Sequence, residues 1–226
     1  MKILCTNGLR SVMLDLEPAL QQRSATRVAL TWGSTVGLAK EILHGSDGDL
    51  AVLTADAIDD LIARDKAVAG SRVDLARSGI GVAVRAGAKK PEIGSPEALR
   101  GALLAAKSVA HSKTGQSGIY FPTVLERLGI AEQMKPKMVV PEGGIPIGEL
   151  VATGQAEIGI QQISELLPVA GIDIVGPLPE SLQKITTFSA GVLASAGNPR
   201  TARELLDFIA TASRPLLQAK GLEPPQ

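Results

Sequence analysis

The sequence predicts an α/β fold in two lobes, built on mostly parallel sheets with helices on both faces. Three observations carry this expectation. Short apolar runs alternate with amphipathic stretches along the whole chain, the pattern of strands linked by helices. Four connecting loops, 6–10, 32–35, 112–117 and 141–146, share a small, polar character. The Gly-, Pro- and Lys-rich segment 85–95 falls between the second and third of them and marks a boundary, leaving two loops on each side.

The elements follow in order. Residues 2–5 form a short buried strand, and Thr6-Asn7-Gly8 turns the chain into a helix over 10–22. Val12, Met13, Leu16, Ala19 and Leu20 line one side of that helix at helical spacing. A strand at 28–31, the loop Trp32-Gly33-Ser34-Thr35 and a helix over 37–43 come next; His44-Gly45 stops the helix. Strand 50–53 leads to Thr54-Ala55-Asp56, which caps a helix through 63 with Ile58, Leu61 and Ile62 inward. Residues 73–79 run into a strand at 80–84. Ser95 followed by Pro96 is a strong helix start, and that helix reaches 106. Strand 107–111 precedes a helix over 118–128 with Ile119, Val124, Leu125 and Leu128 on its apolar side. Strands are then predicted at 138–140, 157–161 and 172–175, with a helix over 147–153 and a short one after 164. Residues 186–193 read as one long strand that crosses back to the first lobe. Helices over 199–212 and 214–220 and a tail at 223–226 close the chain.

Composition narrows the function. The chain has 226 residues, 45% of them hydrophobic, enough for a sizeable core. Its 23 basic and 23 acidic residues balance, and no basic stripe exists, which excludes nucleic acid or an anionic membrane as main partner. Aromatic residues make up 2%, too few for a site that stacks sugars or bases. Cys5 is the only cysteine, and His44 and His111 lie far apart, so neither a disulfide nor a metal site is predicted. No apolar run approaches the ~20 residues that span a bilayer. Met1 leads directly into a strand without a secretory leader, which places the chain in the cytoplasm if Met1 is the natural start.

No cofactor is predicted. Residues 79–84 lack the third glycine of a dinucleotide loop, Lys113-Thr114-Gly115 has the wrong order for a phosphate loop, and no Gly-x-Ser-x-Gly elbow occurs. What the four loops offer is hydroxyls, amides and the unpaired N–H groups at helix starts, which suit a small anion. Arg10 and Lys113 add positive charge. His111, at a strand end, is either an acid/base or a satisfied structural histidine.

Several of these motifs have a familiar order. Gly8-Leu9, Gly33-Ser34-Thr35 followed by Leu38-Ala39-Lys40-Glu41-Ile42, Gly48-Asp49-Leu50 running to Thr54-Ala55-Asp56, Ser117-Gly118-Ile119-Tyr120 and Glu157-Ile158-Gly159-Ile160 together span almost the whole chain. In that order they resemble the type II periplasmic solute-binding proteins, in particular the molybdate-binding branch of ABC transporters. The resemblance implies two lobes, 1–82 with 190–226 and 83–189, joined by two hinge strands, with an oxyanion held in the cleft between them. It implies ligand loops near Asn7, Gly8, Ser34, Thr35, Ser117, Gly144 and Gln162, with Arg10 and Lys113 beside them. Gly8 stands where the molybdate pattern has a serine, and Gln162 where it has a tyrosine; these changes suit a small carboxylate better. A periplasmic monomer that hands its ligand to a transporter permease is expected if a signal peptide was trimmed. Some relatives with this scaffold resemble aconitate isomerases, and on that alternative His111, Lys113 and Glu142 are the candidate acid/base groups.

Overall fold

Alternation along the first strand decides how its sheet is covered. The computed structural model describes residues 1–226 except Ala25, Gly143 and Gln226. In chain order, β1 (Lys2–Thr6) passes through a 3-10 turn, Asn7–Leu9, into α1 (Arg10–Arg23). Then come β2 (Ala29–Gly33), α2 (Thr35–Leu43), β3 (Leu50–Thr54), α3 (Ala55–Ala63) and β4 (Val73–Ser78). β5 (Ile80–Arg85), α4 (Pro96–Ala105), β6 (Val109–His111), α5 (Gln116–Arg127), α6 (Ala131–Met134) and β7 (Met138–Val139) follow. α7 (Ile147–Ala152), β8 (Ile158–Gln162), α8 (Ile163–Leu166), β9 (Ile172–Pro177), β10 (Thr186–Val192) and α9 (Pro199–Ala212) complete the chain.

Two compact units result: Met1–Ser78 with Thr186–Gln226, and Gly79–Ile185. The first unit is built on a sheet in the order β2-β1-β3-β10-β4. Successive strand residues face opposite sides, so Ile3, Cys5, Leu50 and Val52 bury against α1 and α9. Leu4, Ala51 and Leu53 bury against α2 and α3. Each large aliphatic side chain so covered is worth roughly 1.5–3 kcal/mol. The second unit repeats the plan in the order β7-β6-β8-β5-β9. Ile80, Val82, Val109 and Ile160 meet α4, α5 and α6 on one face, and Ala110 meets Ile147, Leu150 and Val151 of α7 on the other.

The sheets are more mixed than the sequence predicts. Among the described residues, four strands in each sheet point the same way, and the fifth, β10 or β5, runs reversed between two of them. Parallel neighbours need a crossover. β5 and β10 each enter their unit from the other one with no crossover helix before them, and they pair antiparallel.

The predicted boundaries at 82/83 and 189/190 also move, to 78/79 and 185/186. Ile80, Gly81 and Val82 are already paired with β8, and Thr186 to Ser189 with β4. Ile119 is 50% exposed rather than core, because α5 starts at Gln116 and its buried stripe is Ser117, Gly118, Phe121, Val124 and Leu125. The predicted last helix is two 3-10 turns, Arg214–Leu216 and Gln218–Lys220, ended by Gly221 at φ +69°. The predicted tail is docked at Glu223, which exchanges backbone hydrogen bonds with Arg77; Gln226 lies outside the described residues.

Candidate functional site

In the first unit, pairing of Thr6 with Gly33 sets the loops after β1 and β2 side by side. Thr35 Oγ1 donates to Thr6 Oγ1 at 3.2 Å, both buried. Ser34 Oγ accepts from the Gly37 N–H at 3.1 Å and so caps α2; its proton is left for another acceptor. Asn7 is half-buried in the 3-10 turn. Gly8 has a packing reason: a Cβ there would lie 2.3 Å from Phe188 Cζ. Arg10 is exposed at the start of α1, with its guanidinium carbon 5.0 Å from the centre of the Trp32 ring, a cation–π contact that anchors the charge. The Ser11 hydroxyl is buried with no hydrogen-bond partner among the described residues. Burial pushes the Cys5 thiol up, only partly offset by Arg10, so it stays protonated and is no nucleophile.

In the second unit, β6 delivers His111 to the edge of the 112–117 loop. Its Nδ1 lies 3.0 Å from the Ser112 carbonyl, which can only accept, so Nδ1 carries the proton of that bond. Burial lowers the His111 pKa against hydrogen bonds to Ser112 and Gly118, and the ring is neutral at pH 7. Ser112 Oγ accepts from the Gly115 N–H at 3.1 Å. The Ser112 carbonyl would lie 1.8 Å from any Cβ on Gly118, so only glycine lets the loop fold onto the first turn of α5. Ser117, in that turn, is 1% exposed and its hydroxyl has no partner among the described residues.

Lys113 Nζ donates to Glu142 Oε1 at 3.0 Å, but the two side chains are 62% and 83% exposed, so solvent screens the pair. Ser112, Lys113 and Thr114 face Glu142, Gly144 and Ile145 across a cavity of about 90 Å³, room for a carboxylate-sized group. Gly144 holds its turn at φ +75°; Gly143 lies outside the described residues. At the end of β8, Gln162 is buried, as are Gln161 and Ser164, and the Ser164 hydroxyl also lacks a partner among the described residues. Glu165 is pushed up to about 7, by burial and against its hydrogen bond from Gln161.

The family described as bacterial extracellular solute-binding protein matches residues 1–223. This chain belongs to that family. It is 32% identical to an aconitate isomerase of Pseudomonas sp over 231 residues, covering 98% of this chain and 87% of that protein. It is 25% identical to the molybdate-binding protein ModA of Azotobacter vinelandii, covering 87% and 79%. Among solved structures, the Azotobacter vinelandii periplasmic molybdate-binding protein superposes with a TM-score of 0.82 at 17% identity, covering all of both chains. The substrate-binding domain of a putative molybdenum ABC transporter from Clostridium difficile gives 0.74 at 18%, covering 100% and 99%. These likenesses show the fold of the solute-binding family, and no helix among the described residues is long and apolar enough to cross a membrane.

Within each unit the structure brings predicted residues of this solute-binding protein together: Thr35 with the start of the Asn7–Gly8 turn, and Lys113 with Glu142 and Gly144. Sequence reasoning missed Thr6, Ser11, Ser164 and Glu165 as site candidates. Each sits in or next to a polar stretch at a strand end, yet nothing in the sequence says whether such a hydroxyl or carboxyl is buried, paired or open.

Proposed function

We propose that this protein captures a small multiply charged anion, an oxyanion or a di- or tricarboxylate, with hydroxyls and N–H groups of its strand-end loops. The observation that carries this reading is the set of buried serine hydroxyls, Ser11, Ser117 and Ser164, without partners among the described residues. A buried hydroxyl left unpaired costs about 1–3 kcal/mol, and an anion that accepts from it removes that cost. Arg10 and Lys113 supply charge without burying it. In the periplasm, the setting of its molybdate-binding relatives, such a protein would deliver its ligand to an ABC transporter permease.

A second reading, isomerisation of a small polycarboxylate, is favoured by the aconitate isomerase relative and by one carboxyl near neutrality. Glu165 is pushed up to about 7, in the range where proton transfer works best, and burial lowers His111, which keeps its ring neutral. The test is a thermal-shift screen against molybdate, tungstate, citrate and both aconitate isomers, with fluorescence of Trp32, the only tryptophan, as a reporter in the first unit. A ligand at 100 times its Kd adds ~2.7 kcal/mol of stability. A shift with molybdate or tungstate alone selects oxyanion capture. A shift with aconitate, followed by interconversion of its isomers, selects the isomerase. No shift with any anion refutes both.

A further inference from the structure

Arg10 is a cation that the fold leaves unspent. On α9, Arg200 and Arg203 each pair with a carboxylate four residues on, Glu204 and Asp207. Four residues on from Arg10, α1 carries Leu14, 45% exposed, and the next acid, Asp15, pairs with Lys220. The Arg10 guanidinium makes no hydrogen bond or ion pair among the described residues; what it meets is the Trp32 ring, 5.0 Å away at its centre. Trp32 is a firm platform, half-buried and packed against the core that α1 covers. Stacking engages the charge of the guanidinium and leaves its planar fork of N–H donors open to a carboxylate.

The hydroxyls of the same two loops lie on the other face of the sheet. Cys5 and Trp32 are in register and pack with the α1 core, whereas Thr6, one residue on, turns to α2 and meets Thr35. Thr6 Oγ1 accepts from Thr35 Oγ1, and its own proton has no acceptor among the described residues, although Thr6 is only 5% exposed. Ser34 Oγ, which accepts from the Gly37 N–H, also keeps a proton to give. The ends of β1 and β2 therefore carry two sets of donors: hydroxyls on the α2 face and an open guanidinium on the α1 face.

We propose that Arg10, held over Trp32, is the specificity determinant of this site: it takes a second carboxylate of the ligand, so the protein selects polycarboxylates over tetrahedral oxyanions. This rests on the capture reading above and names its substrate class. A tetrahedral oxyanion carries its oxygens around one centre and engages the hydroxyls alone. A polycarboxylate carries them on separate carbons, one group for the hydroxyls and another for the guanidinium fork. The Arg10 end is open to water, so selection there comes from the paired geometry of the fork and not from desolvation.

The test is calorimetric titration of propane-1,2,3-tricarboxylate and of tungstate into the wild type, Arg10→Lys, Trp32→Leu and Trp32→Phe, at one pH and one ionic strength. The saturated tricarboxylate has no double bond to move, so binding is read without turnover. Lysine keeps the charge and removes the fork, so long-range attraction, common to both anions, cancels in the ratio of their affinities. The expected result is a tricarboxylate-to-tungstate ratio that falls about tenfold in Arg10→Lys, the loss of one charge-assisted pair. The ratio should fall in the same direction in Trp32→Leu, while Trp32→Phe, which keeps an aromatic face, retains most of it. A ratio unchanged in Arg10→Lys, whether both affinities hold or both drop together, overturns the inference and leaves capture standing. So does a wild type that binds tungstate and not the tricarboxylate. A Trp32→Leu protein with wild-type circular dichroism and a wild-type ratio overturns the positioning role of the ring. If the wild type binds neither anion, the capture reading falls, and the inference with it.

Discussion

Replacing Gly8 by alanine tests the account of the first loop. The new methyl would lie 2.3 Å from Phe188 Cζ and 2.7 Å from Cε1, well inside contact distance. The ring cannot swing away freely: Phe188 is 2% exposed and packed in the core with α1 and α9. Overpacking of this kind costs ~1–3 kcal/mol. At ~2–4 °C per kcal/mol for a chain of this size, Gly8→Ala should melt roughly 2–12 °C lower by calorimetry. Phe188→Leu leaves a void and also destabilises, but the two changes share the same space. The double variant should lose less than the sum of the singles, with a coupling of ~0.5–3 kcal/mol. An unchanged Tm for Gly8→Ala, or additive losses in the double variant, refutes the claim that the Phe188 ring is what requires glycine here. The same reasoning says a serine at position 8, as in the molybdate pattern, is accommodated only when Phe188 is made smaller.

Three further outcomes are expected. Ser117→Ala should leave ligand-free stability unchanged or raise it by up to ~1 kcal/mol, since it removes an unpaired buried hydroxyl, yet weaken anion binding about tenfold; denaturant titration and calorimetry read the two effects separately. Glu165 has its ordinary value of 4.5 in the unfolded chain and about 7 in the folded one, so the folded state holds a proton that the unfolded state releases. The stabilisation is complete below pH 4.5 and is lost as pH rises through 7, amounting to ~3 kcal/mol at about 1.4 kcal/mol per pH unit; urea midpoints at pH 5 and 7.5 should diverge for the wild type and stay closer together for Glu165→Gln. Lys113→Ala should change the urea midpoint by less than ~0.5 kcal/mol, because the Glu142 pair is open to solvent, while weakening anion binding at low salt more than at high salt.

The sequence by itself determined the alternation of strands and helices, because the periods of apolar residues are local. Val12, Met13, Leu16 and Leu20 form one helical face wherever that helix ends up packing. It also determined that loops at strand ends would be polar, since Ser112 to Ser117 contains nothing that fills a core. Two matters needed the tertiary structure. Strand direction depends on which element arrives from where, and β5 and β10 run reversed for a reason that no local pattern records. The state of each polar group depends on its neighbours. Ser34 is spent on capping Gly37, while Ser117, of the same residue type, is sealed in without a partner among the described residues; Glu165, one acid among many in the sequence, is raised by burial, against the hydrogen bond from the Gln161 amide. Hydrogen bonding and desolvation are properties of places in the folded chain, which is why residue type alone could nominate the site but could not say which of its groups are free to act.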